Sequence, residues 1–276
     1  MITRAEELAA HTSPVMLTRH GAVAVVTMNR PERANVLNAQ SSPALCDAVL
    51  QLSADVAAGD VRAVLVKARG AQFCAGGDIA EMVAAGAGLG AMLDRFIPPL
   101  NDAIMKLAQL PVPVVSAVNG AVGGGGIGLA LCADIVLAAE SMKLRGGYTA
   151  IGLTPDVGAS WFLTRRAGAA RAKQIFMTNQ PVTATQALAW GIVNEVLPDA
   201  ELADRALALA EQLAAGATGA MGRVKLLVDG AGDRGLADQM ALERQCMVTS
   251  GQGPEAAEGV AAFLAKRAPD FGRKPG

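Results

Sequence analysis

Aromatic side chains are scarce in this chain: Phe, Trp and Tyr make up 3% of its 276 residues, and tyrosine occurs once. With few rings for base stacking, a net charge of −1 and no basic stripe, the sequence lacks the electrostatic footprint of a nucleic-acid binder. Histidine is nearly absent too. His11 and His20 both lie near the N-terminus, so the body of the chain offers no imidazole for a Ser-His-Asp relay or a His-containing zinc site. Cys46, Cys74, Cys132 and Cys246 are widely separated and form no CxxC pair. That spacing predicts reduced thiols, a cytoplasmic protein and no metal site. Chemistry must then rest on carboxylates, backbone groups or less usual side chains.

What is abundant is small and apolar. The composition is 52% hydrophobic, so the core must be built from Ala, Val, Leu, Ile and Met, and the length suits one large domain or one domain with a helical appendage. The opening MITRAEELAA has acidic residues and no apolar stretch, which argues against a secretory signal. Residues 110–133 resemble a membrane segment, with only Ser116 and Asn119 clearly polar. Pro111, Pro113 and four consecutive glycines would weaken a spanning helix, and neither end has an aromatic belt or a basic cluster. The run reads instead as a buried strand, a glycine loop and a small-residue helix, with no membrane span.

Residues 15–28 alternate around Gly21 and predict two strands joined by a tight turn. Ser41-Ser42-Pro43 starts a helix, with Leu45, Val49, Leu52 and Val56 at helical spacing before Gly59. Residues 61–68 and 112–118 read as buried strands, and each runs into glycines: FCAGGDI at 73–79 and NGAVGGGGIG at 119–128. The pattern strand, glycine turn, helix start thus occurs twice. Residues 135–139 predict another strand and residues 190–197 a short one before Pro198. After Asp199 the pattern is helical, punctuated by Gly216, Gly230 and the GQGP turn at 251–254. This predicts a mixed α/β core over residues 1–197 and a helical region over 198–276, whose amphipathic faces serve either oligomerisation or packing on the chain's own core.

The glycine loops read in more than one way. Backbone N–H groups can approach a ligand oxygen closely where no side chain intervenes, so Gly76-Gly77 and residues 123–126 could together form an oxyanion hole. Taken singly, each loop is equally a tight turn in a glycine-rich chain. Gly123, Gly125 and Gly128 also spell G-x-G-x-x-G, with Glu140 beyond the next strand, as in a dinucleotide site. Against that, the intervening helix would be short for a βαβ crossover, and FCAGGDI is left unexplained.

The segments NRPERANVLN at 29–38, FCAGGDI, PVPVVSAVNGAVGGGGIGLALCADIVLAA at 111–139 and GLTPDVGASWFL at 152–163 follow in that order. They are joined by a Thr-Ala-x-x-Ala-x-x-Trp-Gly-Ile-Val-Asn-x-Val pattern at 183–196 and a closing Phe-Leu-x-Lys-Arg-x-Pro-Asp-Phe at 263–271. Together they resemble the crotonase superfamily of enoyl-CoA hydratases and isomerases over nearly the whole chain. The resemblance implies an α/β fold, a spiral of ββα turns with a C-terminal helical region that trimerises, often as a dimer of trimers. It also implies a bound acyl-CoA thioester, with no cofactor beyond the coenzyme A moiety of the substrate. By position in the resemblance, the oxyanion donors fall on the N–H groups of Gly77 and Gly125. Coenzyme A contacts fall on Arg33, Ala34, Val36, Ala75, Asp78 and Ile79, with Phe263 and Lys266 supplied by a neighbouring subunit; Arg33 and Lys266 read equally as solvated surface charges.

The same resemblance puts the two glutamates of the family's hydratases at Gly128 and Tyr148 of this chain. Glycine has no side chain, and an ordinary tyrosine, with a pKa of about 10, is a poor base. Tyr148 is expected as a pocket wall or hydrogen-bond donor. Asp156 lies where a subgroup of isomerases with a similar GLTPD stretch carries a single acid/base carboxylate, and one carboxylate suffices for an isomerase. Thr154-Pro155-Asp156 also reads as the first positions of a helix, where a carboxylate only favours the dipole. The expectation is an enzyme that shifts a double bond in an unsaturated acyl-CoA. The alternatives are a hydratase with a non-standard acid/base and a non-catalytic acyl-CoA binder. Met82, Phe96 and Trp161 are expected to shape the acyl pocket.

Overall fold

The computed structural model describes residues 13–272; His11 lies outside them. β1 (Val15–His20) and β2 (Val23–Met28) form the expected antiparallel hairpin, turning at Gly21 with φ 58°. After α1 (Ser41–Ala57), β3 (Ala63–Ala68) pairs parallel to β2, with Val25 opposite Leu65. α2 (Ile79–Ala85) and α3 (Leu89–Gln109) follow, then β4 (Val114–Val118), β5 (Ala121–Gly123), α4 (Gly126–Leu131), β6 (Ile135–Ala139) and β7 (Lys143–Arg145). The chain continues through α5 (Ala159–Ala167), α6 (Ala169–Thr178), β8 (Val182–Thr183), α7 (Ala184–Ala189) and β9 (Glu195–Leu197). It closes with α8 (Asp199–Ala215), α9 (Thr218–Asp229), α10 (Leu236–Gly251) and α11 (Pro254–Leu264).

The strands make two sheets, one ordered β1-β2-β3-β4-β6-β9 and a smaller one ordered β5-β7-β8. The chain passes from the large sheet to the small one and then into helix, turn after turn: β4 to β5 to α4, and β6 to β7 to α5 and α6. β3 begins the same turn, because Cys74 makes a parallel bridge to Val122 in β5 before α2 starts. This is a spiral of ββα turns, and it stacks successive strand-to-helix loops beside one another.

All six residues of β2 are buried, as expected for a strand covered on both faces. Ala24, Val26 and Met28 join the main core with Leu45, Val49 and Leu52 of α1, while Val23 and Val25 face Leu202, Ala206, Ala210 and Ala214 of α8. The alanines recur every fourth residue, and the absence of larger side chains lets α8 lie close on the sheet. Arg62 donates to the carbonyls of Ala214 and Gly216 at the end of α8, both at 2.7 Å. Lys225 of α9 pairs with Asp134 at 3.0 Å and donates to the Val112 carbonyl at 3.2 Å. α10 and α11, by contrast, expose Leu236, Met240, Met247, Val260, Phe263 and Leu264.

One expected strand is largely absent. Of residues 190–197 only Glu195–Leu197 pairs, with β6. Trp190 ends α7, whose start carries a capping box from Thr183 and Gln186, and Gly191 turns the chain at φ 74°. Ile192 and Val193 are buried as core contacts without a sheet ladder.

Candidate active site

The two glycine loops touch backbone to backbone. A Cβ at Gly76, where φ is 100°, would lie 2.8 Å from the Gly123 carbonyl oxygen, so only glycine permits this crossing. Beside it, Leu37 N–H donates to the Gly76 carbonyl at 2.8 Å and Asp78 N–H to the Leu37 carbonyl at 3.1 Å. Gly77, the bridge partner of Leu37, therefore directs its own N–H away from that ladder. Gly125 occupies the position before α4, where N–H groups have no intrahelical acceptor. Among the described residues neither the Gly77 nor the Gly125 N–H has a hydrogen-bond partner, and both glycines line one cavity of about 340 Å³.

Leu37, Met82, Met92, Leu93, Phe96 and Leu100 give that cavity an apolar wall. Met82 and Phe96 were expected there. Trp161 was too, but it lines a separate cavity of about 1140 Å³ between α3, α5 and α9, and its ring lies under the Arg165 guanidinium. Val157 borders both cavities.

Asp156 reaches the glycine loops directly. Its Oδ1 lies 3.6 Å from where a Cβ on Gly125 would stand, alongside Leu37 Cδ1 at 3.1 Å and Val157 Cγ2 at 3.3 Å. The reading of Thr154-Pro155-Asp156 as a helix start is not realised, because α5 begins only at Ala159, after Val157 and Gly158 with φ 49° and 75°. A positive φ at a buried, β-branched residue is strained backbone of the kind found at functional sites. It places the Val157 carbonyl oxygen where any Cβ on Gly128 would have to go.

Tyr148 is buried, and its hydroxyl donates to Asp156 Oδ1 at 2.7 Å. Burial, followed by the negative charge of Asp156, pushes the phenol well above its ordinary value, and its hydroxyl is a donor to the carboxylate. Burial also raises the Asp156 carboxyl, and the Tyr148 hydrogen bond opposes that rise. The arrangement sets one carboxylate of elevated proton affinity beside Gly125, in the cavity that both unpartnered backbone donors line.

At the rim, Ala75, Asp78 and Ile79 line the cavity, and Ala75 N–H donates to the Ala34 carbonyl at 3.1 Å. Arg33 bonds Asp78 Oδ2 at 3.0 Å. Burial works to raise the Asp78 carboxyl, but bonds from Arg33, Asn38 and the Ala80 N–H outweigh it and hold it below the ordinary value. Arg33, Ala34 and Val36 stand outside the cavity itself, on the loop beside it. Phe263 and Lys266 do not join it within one chain: Phe263 is 82% exposed on α11, and Lys266 follows that helix with φ 51°. Among the described residues no cluster of His, Cys, Asp and Glu could hold a metal ion, and no helix is long and apolar enough to cross a membrane.

Residues 18–274 match the family model described as enoyl-CoA hydratase/isomerase. The chain is 39% identical to the 1,2-epoxyphenylacetyl-CoA isomerase of Escherichia coli strain K12, over 90% of this chain and 94% of that one. It is 37% identical to the "Probable enoyl-CoA hydratase" of Rhodobacter capsulatus, with the same coverage. The structure of an enoyl-CoA hydratase from Polaromonas sp. JS666 superimposes with a TM-score of 0.87 at 32% identity, covering 93% of this chain and 98% of that one. The chain belongs to the enoyl-CoA hydratase/isomerase family of the crotonase superfamily, whose members act on acyl-CoA thioesters, and it has the crotonase fold.

Proposed function

We propose that this protein is an isomerase that moves the double bond of an unsaturated acyl-CoA, with Asp156 as its acid/base group. The observation that carries this reading is the place of Asp156 at the glycine loops: it stands beside Gly125, while the Val157 carbonyl fills the space a glutamate at position 128 would need. Hydration calls for one group to activate water and another to deliver a proton. Of the other carboxylates at the cavity, Asp78 is held by Arg33, Asn38 and the Ala80 N–H and Glu81 accepts the Ala39 N–H, which favours Asp156 as the single acid/base group.

The chemistry follows from the arrangement. The thioester carbonyl oxygen accepts the N–H groups of Gly77 and Gly125. Asp156 takes a proton from the α-carbon of a β,γ-unsaturated acyl group, and the freed electron pair spreads over the dienolate, its charge held at the oxygen. The Asp156 carboxylic acid then returns the proton to the γ-carbon, leaving the double bond between the α- and β-carbons. No cofactor beyond the coenzyme A moiety takes part. The Escherichia coli relative carries an isomerase name, for an epoxide substrate, and the Rhodobacter capsulatus relative a hydratase name, so the choice of double-bond isomerisation rests on the placing of Asp156.

Coenzyme A would run along Arg33, Ala34, Val36, Ala75, Asp78 and Ile79. Phe263 and Lys266 would reach a neighbouring subunit's ligand in a homotrimer or dimer of trimers, an assembly that would also cover the apolar faces of α10 and α11. Four free thiols suit a cytoplasmic enzyme. The test is a panel of 2-enoyl- and 3-enoyl-CoA esters analysed for product: double-bond migration without hydration supports the proposal, accumulation of 3-hydroxyacyl-CoA supports a hydratase, and binding without turnover supports a non-catalytic carrier.

A further inference from the structure

Asp156 is one end of a chain of hydrogen bonds that reaches the C-terminus of α6. The Tyr148 hydroxyl donates to its Oδ1, and the turn that carries Tyr148 is gripped on both sides by Asn179. Asn179 Oδ1 accepts the Gly147 N–H at 2.7 Å, and its Nδ2 donates to Thr149 Oγ1 at 2.6 Å. Thr149 Oγ1 donates in turn to the Phe176 carbonyl at 2.7 Å, and the Phe176 ring meets Tyr148 edge-on with centroids 6.0 Å apart. Asn179 sits in the left-handed region, φ 54°, which asparagine tolerates better than most residues. Both ends of its amide are spent on residues 147 and 149, and it does not line the cavity.

We propose that Tyr148 and Asn179 are positioning residues for the reaction: Asn179 fixes the turn that presents Tyr148, and the Tyr148 hydroxyl fixes the rotamer and proton affinity of Asp156. The inference rests on Asp156 being the acid/base group. A carboxylate rotates broadly about its last torsion when nothing holds it, and misplacement of a reacting group by about 1 Å can cost on the order of 100-fold in rate. A hydrogen bond to the charged form also makes the carboxylate a weaker base, which offsets burial and keeps Asp156 ionised at a lower pH.

Few other titratable groups bear on this pair. Buried Cys74 is near enough to Tyr148 to act on it, and Asp78 and Glu81 line the same cavity. α3 contributes only apolar side chains to the cavity, and Arg145 of β7 reaches the Asn179 carbonyl, not the carboxylate.

The experiment measures kcat and KM for trans-3-hexenoyl-CoA against pH in four proteins: wild type, Tyr148→Phe, Asn179→Gly and Asp156→Asn. Tyr148→Phe should move the acidic limb of kcat/KM up by about one pH unit, the size expected for one hydrogen bond to a charged group. Asn179→Gly keeps the left-handed backbone and removes only the amide; kcat should fall by about tenfold with KM within about twofold of wild type, as expected for looser positioning. A wild-type pH profile in Tyr148→Phe, or wild-type kcat in Asn179→Gly, overturns the proposal for that residue. Undiminished turnover in Asp156→Asn would instead remove the acid/base reading on which the proposal stands. Its loss there, combined with unmoved profiles in the other two variants, would leave Asp156 in place and refute the positioning role alone.

Discussion

The Val157 carbonyl oxygen occupies the volume that a side chain at Gly128 would require. Grafting a glutamate there should not create a hydratase. Gly128→Glu must displace the backbone of residues 156–158 and carry Asp156 away from Gly125, at a stability cost on the order of 3 kcal/mol for overpacking. Thermal unfolding should show a lower Tm, and crotonyl-CoA should remain unhydrated. A stable variant that hydrates crotonyl-CoA would show that the loop can open.

Asp156 should cost the protein stability while it serves the reaction. Its folded-state pKa is raised by burial, so the folded protein holds the protonated form more tightly than the unfolded chain does. The group therefore favours folding fully below the unfolded value of about 3.9, and that contribution is lost as pH rises through the folded value. Asp156→Asn should thus be as stable as wild type or more so at pH 7, while turnover falls by about 100- to 10,000-fold for loss of the base. Urea titrations at several pH values check the first half and steady-state rates the second.

The two glycines should respond differently to alanine. At Gly77 the new methyl meets only the flexible end of Met82, at 2.6 Å. At Gly125 it meets Leu37, Val157 and the Asp156 carboxylate together. Gly77→Ala should keep measurable isomerisation and shift acyl-chain preference as Met82 moves, whereas Gly125→Ala should lose most of kcat. Gly125→Pro also deletes the donor N–H, and loss of one such donor costs about 100- to 1000-fold in kcat.

Lys225 should matter for stability and not for chemistry. It is the cationic partner of Asp134, whose carboxyl is raised by burial and lowered by Lys225. Lys225→Met leaves that partly buried carboxylate with the Val114 N–H and no cation, a loss of about 1 to 3 kcal/mol at neutral pH. Because the uncompensated charge is neutralised by protonation, the deficit should shrink on acidification, which denaturant unfolding between pH 7 and pH 4.5 would reveal.

The repeated pattern of strand, glycine turn and helix was legible in the sequence, since buried strands run unbroken into glycines at 70–77 and 119–126 and apolar spacing marks α1. The crossing at Gly76 and Gly123 explains why those loops are glycine-rich. The path after Pro155 was not legible: proline at a helix start is an ordinary signal, and nothing local announces that Val157 turns left-handed and delays α5 to Ala159. Ile192 and Val193 look like strand residues because burial selects the same side chains with or without a ladder. Asn179 carries no signal at all, as its partners Gly147 and Thr149 lie some thirty residues earlier in the chain.

Isotope tracing shows whether one carboxylate shuttles one proton across the face of the acyl group. 3-Hexenoyl-CoA carrying deuterium at the α-carbon, turned over in ordinary water, should give the 2-enoyl product with part of that deuterium at the γ-carbon, and Asp156→Asn should abolish the transfer. A 3-hydroxyacyl-CoA product, or undiminished transfer in Asp156→Asn, would show that Asp156 does not carry the proton in an isomerisation.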